Sequence, residues 1–360
     1  MRPWLRLAWV LGLAGASAGC SLFGGLEVEA LSASAQKPSN VAVYVAVSDG
    51  DEPVTGLEQK NFRVYENGQL LSPQQIERVL LPREAVTEER VLLLVDLSGN
   101  PDAEQRERLV QATEAFVRKI ALSVRVGVRA YDGGPELKSV GDYPRGTANP
   151  SAGALLRLKG SDASRNLNGA VVAALAELDR AARSAGKPVT IGTLVVFARG
   201  PDLAGRTSED RLYEALGESE HDVIGVGVGE DTPFLDFARA GVIRSQDAET
   251  LPIAFEEAGS RVAKTHAKYY LVAYCSPARG GQRSVRVEAW YTDEDGDEKS
   301  GGADYEFDAT GFGPGCNPLS TPRFESARPK AAEPGPARVN QSNEPADGVA
   351  PPPPSSDYAK

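Results

Sequence analysis

The stretch Val91-Leu92-Leu93-Leu94-Val95-Asp96-Leu97-Ser98-Gly99-Asn100 decides the fold. Successive side chains of a strand point to opposite faces, so five apolar residues in a row need cover on both sides, as in the middle of a mainly parallel sheet. The run stops on an acid, a hydroxyl residue and a Gly-Asn turn signal. Leu194-Val195-Val196-Phe197 has the same character, and 124–130 and 223–228 add two further strands. Between them the apolar spacing shifts to the helical period, with Leu109, Ala112, Phe116 and Ile120 in 103–122 and Val171, Leu175 and Leu178 in 168–185. A short helix over 211–216 and a final one over 251–268 complete the pattern. Alternating strands and helices build βαβ units, so the expected fold is α/β, a doubly wound, Rossmann-like domain whose ligands meet the loops at the carboxyl ends of the strands.

The flanking segments read differently. Residues 41–47 alternate, Phe62-Arg63-Val64-Tyr65 runs into the turn Glu66-Asn67-Gly68, and 75–81 offers a third strand. After the last helix come strands over 269–275, 284–291 and 305–308. Each group alone is a three-stranded fragment with little core, so the two are expected to join into one small β-sandwich with the α/β domain inserted between them. The resulting organisation is a signal segment at 1–19, a linker at 20–39, half-sandwiches at 40–87 and 268–316, the α/β domain at 88–267 and a disordered Pro-rich tail at 317–360.

That tail holds ten of the 25 prolines and ends on Pro351 to Pro354 before the last six residues, a composition that cannot bury enough surface to offset its ordering entropy. It serves as a spacer or as a polyproline ligand. At the other end Arg2 and Arg6 precede an apolar run too short to span a bilayer, then small residues and Cys20. Ser17-Ala18-Gly19-Cys20 resembles a lipobox, which implies signal cleavage and a lipid on Cys20; an ordinary secretory signal is the other reading. Ser21 in place of Asp favours the outer membrane. In an exported chain Cys275 and Cys316 either form a disulfide or remain as two buried thiols, and pairing is the simpler state.

Asp96-Leu97-Ser98-Gly99-Asn100, at the end of the first strand of an α/β domain, resembles the metal-ion-dependent adhesion site of von Willebrand factor type A (vWA) domains, which reads Asp-x-Ser-x-Ser. Pro53-Val54-Thr55-Gly56-Leu57, the segment Asn61-Phe62-Arg63-Val64-Tyr65-Glu66-Asn67-Gly68, and Tyr270-Leu271-Val272-Ala273-Tyr274 followed by Ser276-Pro277 are similar to the flanks of a bacterial subgroup of that family. The resemblance spans about residues 40–310. It implies a divalent cation held by carboxylate and hydroxyl oxygens at the top of the sheet. This chain departs from the pattern at three of five positions: Asn100 replaces a Ser, Arg165 a Thr, and Arg199 the Asp of a Thr-Asp-Gly loop.

One carboxylate and two guanidiniums leave a net positive site. A divalent ion about 5 Å from one guanidinium is repelled by roughly 7 kcal/mol at an effective dielectric of 20. The expectation is therefore that no metal binds, that Arg165 and Arg199 pair with Asp96 through their planar forks, and that Asp96, Ser98, Asn100, Arg165 and Arg199 form either an extinct site or a grip on a partner's carboxylate.

Composition narrows the function further. The chain has 39 basic and 50 acidic residues and a net charge of −11, which argues against nucleic-acid binding. Two histidines and three cysteines leave no room for a Cys/His zinc cluster. The acidic run 293–298 has Glu298 where a calcium loop needs Gly and reads as a hairpin turn. Gly225, Gly227 and Gly229 sit in a strand pattern and suggest close packing. His221 and His266 lack a visible acid partner and read as surface or capping residues. The expectation is a non-enzymatic, cofactor-free, lipid-anchored envelope protein that binds another macromolecule, for adhesion or as a scaffold, through the top of the sheet. The alternative is a structural or regulatory lipoprotein with an inert site that binds through its sandwich or tail.

Overall fold

The computed structural model describes residues 25–324, apart from 51, 74–75, 161 and 294. The expected signal segment at 1–19, the expected lipid site Cys20 and most of the expected tail, 325–360, lie outside the described residues. The chain begins with β1 (Glu27–Gln36), β2 (Asn40–Asp49), β3 (Glu52–Pro53), β4 (Phe62–Glu66), β5 (Gln69–Leu70) and β6 (Arg78–Leu81). It continues through β7 (Thr87–Asp96), α1 (Ala103–Ile120), β8 (Arg125–Tyr131), β9 (Lys138–Tyr143), α2 (Leu167–Ser184), β10 (Val189–Ala198), α3 (Glu209–Glu218), β11 (Asp222–Val228), β12 (Val242–Ser245) and α4 (Leu251–Ala267). It returns through β13 (Tyr269–Cys275), β14 (Gln282–Thr292) and β15 (Glu298–Asp308).

The central sheet has the order β12-β11-β10-β7-β8-β9, all parallel except β9, which runs antiparallel to β8. The run Val91-Leu92-Leu93-Leu94-Val95 is buried on both sides. Val91, Leu93 and Val95 pack against Phe116, Val117 and Ile120 of α1 and Phe255 and Val262 of α4. Leu92 and Leu94 face Val171, Leu175 and Leu178 of α2 and Leu212 of α3. The chain leaves β7 toward β8 on one side and later returns to β10 on the other. The gap between β7 and β10 is therefore the topological switch point of the sheet, where crevices open in such folds.

The flanks join as expected into two antiparallel sheets, β1-β2-β13-β6 with β3 on β2, and β15-β14-β4-β5. Val41, Val43, Val45 and Val272 of the first meet Phe62, Val64, Val285, Val287 and Phe307 of the second. The other face of the first sheet, with Ala42, Tyr44, Tyr269 and Leu271, packs on Val86, Val189 and Ile191 at the amino ends of the central strands. This double cover explains why β2 is buried almost throughout. Asn67 and Gly68 take left-handed φ values of 49° and 76° in the β4–β5 turn. A bend at 293–297, where the Asp293 carboxylate accepts the N–H groups of Asp295 and Asp297, joins β14 to β15.

Three expectations need correction. The linker 20–39 contains β1, which pairs along its length with β2; its small, polar sequence Ala30-Leu31-Ser32-Ala33-Ser34-Ala35 hides the strand, and a bulge interrupts the register between Ala30 and Ser32. Residues 317–324, expected in the tail, instead form a strap across the first sheet. Asn317 N–H donates to Asn40 Oδ1 at 3.0 Å, Ser34 Oγ donates to the Arg323 carbonyl at 2.7 Å, and Phe324 is buried beside Tyr44 and Tyr269. The disulfide Cys275–Cys316, with a Cα–Cα distance of 5.7 Å, anchors the strap to the end of β13. Finally, the histidines are buried and partnered: His221 Nε2 lies 3.1 Å from Asp179 Oδ1, and His266 sits between Glu89 at 3.2 Å and Thr193 Oγ1 at 2.9 Å. Neither acid is near in sequence. Gly225 and Gly227 do serve close packing: a Cβ on Gly227 would come within 2.5 Å of Thr232 Cγ2.

Candidate functional site: a carboxylate shared by two arginines

Asp96 ends β7 and Ala198 ends β10, so Asp96 and the following Arg199 flank the switch point. The Asp96 side chain is fully buried, and both its oxygens are taken. Oδ1 accepts the Ser98 N–H at 2.8 Å; Oδ2 accepts Arg165 Nε–H at 2.8 Å and the Arg199 backbone N–H at 3.0 Å. The pairing differs from the expected forks. Arg165 meets Asp96 through Nε alone and gives Nη1 to the Pro201 carbonyl at 3.1 Å. Arg199 Nε stands 3.7 Å from Oδ2, beyond hydrogen-bond reach, while its Nη2 donates to the Ser98 carbonyl.

Local sequence makes this arrangement possible. A Cβ on Gly200 would lie 2.7 Å from Arg165 Nη1, so the glycine leaves the passage through which the guanidinium reaches Pro201. The Arg165 carbonyl accepts N–H groups from Leu203 and Ala204, tying its loop to the one after β10. Ser98 contributes backbone N–H and C=O, and its buried hydroxyl has no hydrogen-bond partner among the described residues. Asn100 is not brought into the cluster. It sits at a left-handed φ of 51°, exposed, with its amide oxygen beside Gly160.

A second buried carboxylate, which the sequence reading missed, follows β8. Asp132 accepts Lys138 Nζ at 2.5 Å and Gly134 N–H at 2.8 Å, and Lys138 also donates to the Lys159 carbonyl. An acid directly after an apolar strand was the available signal, the same one that marked Asp96. Arg206 joins the rim by donating to the Gly133 carbonyl at 2.6 Å and pairing with Asp162 at 3.1 Å. Hydrogen bonds from Ser164, then the Arg206 guanidinium, hold the Asp162 carboxyl below the usual range. Beneath the cluster Tyr131 donates to the Phe197 carbonyl, and burial, with the nearby Asp96 charge second, pushes its phenol well above the ordinary value.

These residues do not fit a divalent cation. Asp96 has three N–H donors on its two oxygens, Asp132 is neutralised by Lys138, and a guanidinium nitrogen stands at hydrogen-bond distance where a cation would need an oxygen ligand. Among the described residues no group of three or more His, Cys, Asp or Glu side chains is placed to hold a metal. Counting Asp96 against Arg165 and Arg199 leaves one net positive charge, with Arg165 13% and Arg199 27% exposed at the side chain. Leu203, on the same loop as Arg199, is 65% exposed.

The chain is similar to solved von Willebrand factor type A structures. Against the type A protein from Catenulispora acidiphila the identity is 13% over 79% of this chain and 73% of that one, at a TM-score of 0.41. A manganese-loaded TRAP protein from Plasmodium vivax matches at 14% identity over 64% of this chain and 96% of its own, at 0.38. Proximal thread matrix protein 1 of the mussel byssus, with a zinc-occupied adhesion motif, matches at 12% over 50% of this chain and 48% of its own, at 0.36. No family model and no curated protein sequence matches the chain. The doubly wound architecture and the place of Asp96 rest on the chain's own geometry, and they are those the sequence resemblance implies.

Proposed function

We propose that the chain is an exported, lipid-anchored, non-enzymatic envelope protein that binds another macromolecule through the crevice at the carboxyl edge of its central sheet, without metal. The observation that carries this reading is the pairing there: two partly exposed guanidiniums share one buried carboxylate. Arg199 has the greater exposure and the poorer internal pairing, so it is the group with most to gain from a partner's carboxylate. Exposed Leu203, whose N–H donates to the Arg165 carbonyl, supplies the apolar contact that such anchors are usually set in. Lipid on Cys20 and an outer-membrane location extend the reading from the signal segment.

A pull-down from an envelope extract with three forms of the protein tests it. Partner capture is expected to survive deletion of 325–360 and to fail in Arg199→Ala. The rival reading, an inert crevice with binding through the sandwich or the tail, is favoured by the complete hydrogen bonding of Asp96. It requires the reverse: capture unaffected by Arg199→Ala, or lost with the tail.

A further inference from the structure

A second concentration of positive charge lies away from the crevice. Where the sandwich meets the α/β domain, a cavity of about 550 Å³ opens between the end of α2, the start of β10 and the strap, lined by Arg183, Lys187, Arg323, Thr190, Pro188 and Phe324 among others. Among the described residues no carboxylate lines it, and neither the Arg183 nor the Arg323 guanidinium has an ion-pair partner. Lys187, also in the lining, donates its ammonium to the carbonyls of Glu84 and Ala85 at 3.0 and 3.1 Å, which keeps one N–H for another acceptor. The Glu84 carboxylate is already paired with Arg145 at 2.6 Å and does not neutralise it.

In a chain of net charge −11, three cations line one cavity, and an anion entering it would be attracted by all three. The lining gathers two arginines, a lysine and a threonine, a donor-rich set that matches the many acceptor oxygens of a phosphoryl group better than a single carboxylate. The volume lies within the roughly 300–1,000 Å³ of small-molecule sites, and Phe324 with Pro188 offers apolar surface to whatever carries the phosphate. The carbonyl end of α2 opposes an anion, but Arg183 in its last turn and the Ala185 N–H on the Ala182 carbonyl offset that field.

We propose that this cavity binds a phosphoryl group borne on a larger, partly apolar body. The site owes its outer wall to the strap, held by the Cys275–Cys316 disulfide at one end and Phe324 at the other. It is independent of the crevice reading and stands if that reading fails.

Glycerol phosphate titrated calorimetrically into the full-length protein, and flotation with phosphatidylglycerol vesicles, test the proposal. Arg183→Gln with Arg323→Gln is the probe variant; Arg180→Gln, on the same helix but outside the lining, is the control, and thermal melts verify that both fold. The expected result is binding that weakens with salt and falls at least about tenfold in the double variant but not in the control. Binding of the soluble ester identifies a small phosphorylated ligand, and binding of vesicles alone identifies a lipid headgroup; either supports the site if the double variant loses it. No binding of either probe, or equal binding by the double variant, overturns it.

Discussion

Asp96 is a buried acid whose charge is tolerable only because three N–H groups point at it. Removing Arg165 leaves that charge with two backbone donors and a distant guanidinium, and breaking a buried pair in this way costs about 3–5 kcal/mol. Arg165→Ala is therefore expected to lower unfolding stability by about 3 kcal/mol in urea titrations, the low end because the arginine is slightly exposed. The double variant Asp96→Ala, Arg165→Ala should lose less than the sum of the single variants, since the residues share one interaction. The buried phenols give a pH prediction. Burial raises Tyr131, Tyr269 and Tyr274 above the ordinary value near 10, so the neutral form is favoured in the fold. Their contribution is complete below about pH 10 and is lost as pH rises past it toward the folded values. Thermal melts should show a falling midpoint above about pH 10, less steep in Tyr131→Phe. Asp96, Arg165 and Arg199 were legible because they stand at fixed places around a recognisable strand and helix. The way they pair was not: Ser98 acts through its backbone rather than its hydroxyl, and Lys138 reaches Asp132 from another strand.

Among the elements, β7 and β10 could be read from sequence because double burial demands continuous apolar runs, and α1 and α2 because one stripe of each faces the sheet. Among the elements that escaped notice are β1, β9, β12 and the strap, whose pairing or packing depends on neighbouring elements and leaves no apolar period of their own. The strap yields a direct prediction. Its disulfide closes a loop of 41 residues, worth about 4 kcal/mol on the chain-entropy model. Cys275→Ser with Cys316→Ser should lower stability by about that much. Phe324→Ala, which empties a buried ring site beside Tyr44 and Tyr269, should cost about 3 kcal/mol. Guanidinium unfolding of both variants provides the measurement; an unchanged midpoint in either means that the strap does not hold the two domains' junction together.

In the whole molecule the sandwich packs on the amino ends of the central strands, and the crevice opens at their carboxyl ends. Because β7 runs for ten residues, about 30 Å separates the two. The described chain enters through the sandwich at β1, so a tether on Cys20 would attach there and present Arg165 and Arg199 at the far end. This geometry suits a protein that meets its partner away from the surface that carries it. The central claim is that guanidiniums stand where a metal and its ligands would be expected. Isothermal titration of manganese into the unmodified protein and into Arg165→Thr with Arg199→Asp tests it most directly. No saturable binding to the unmodified protein, with binding restored in the double variant, is the expected result; micromolar binding by the unmodified protein would contradict the claim.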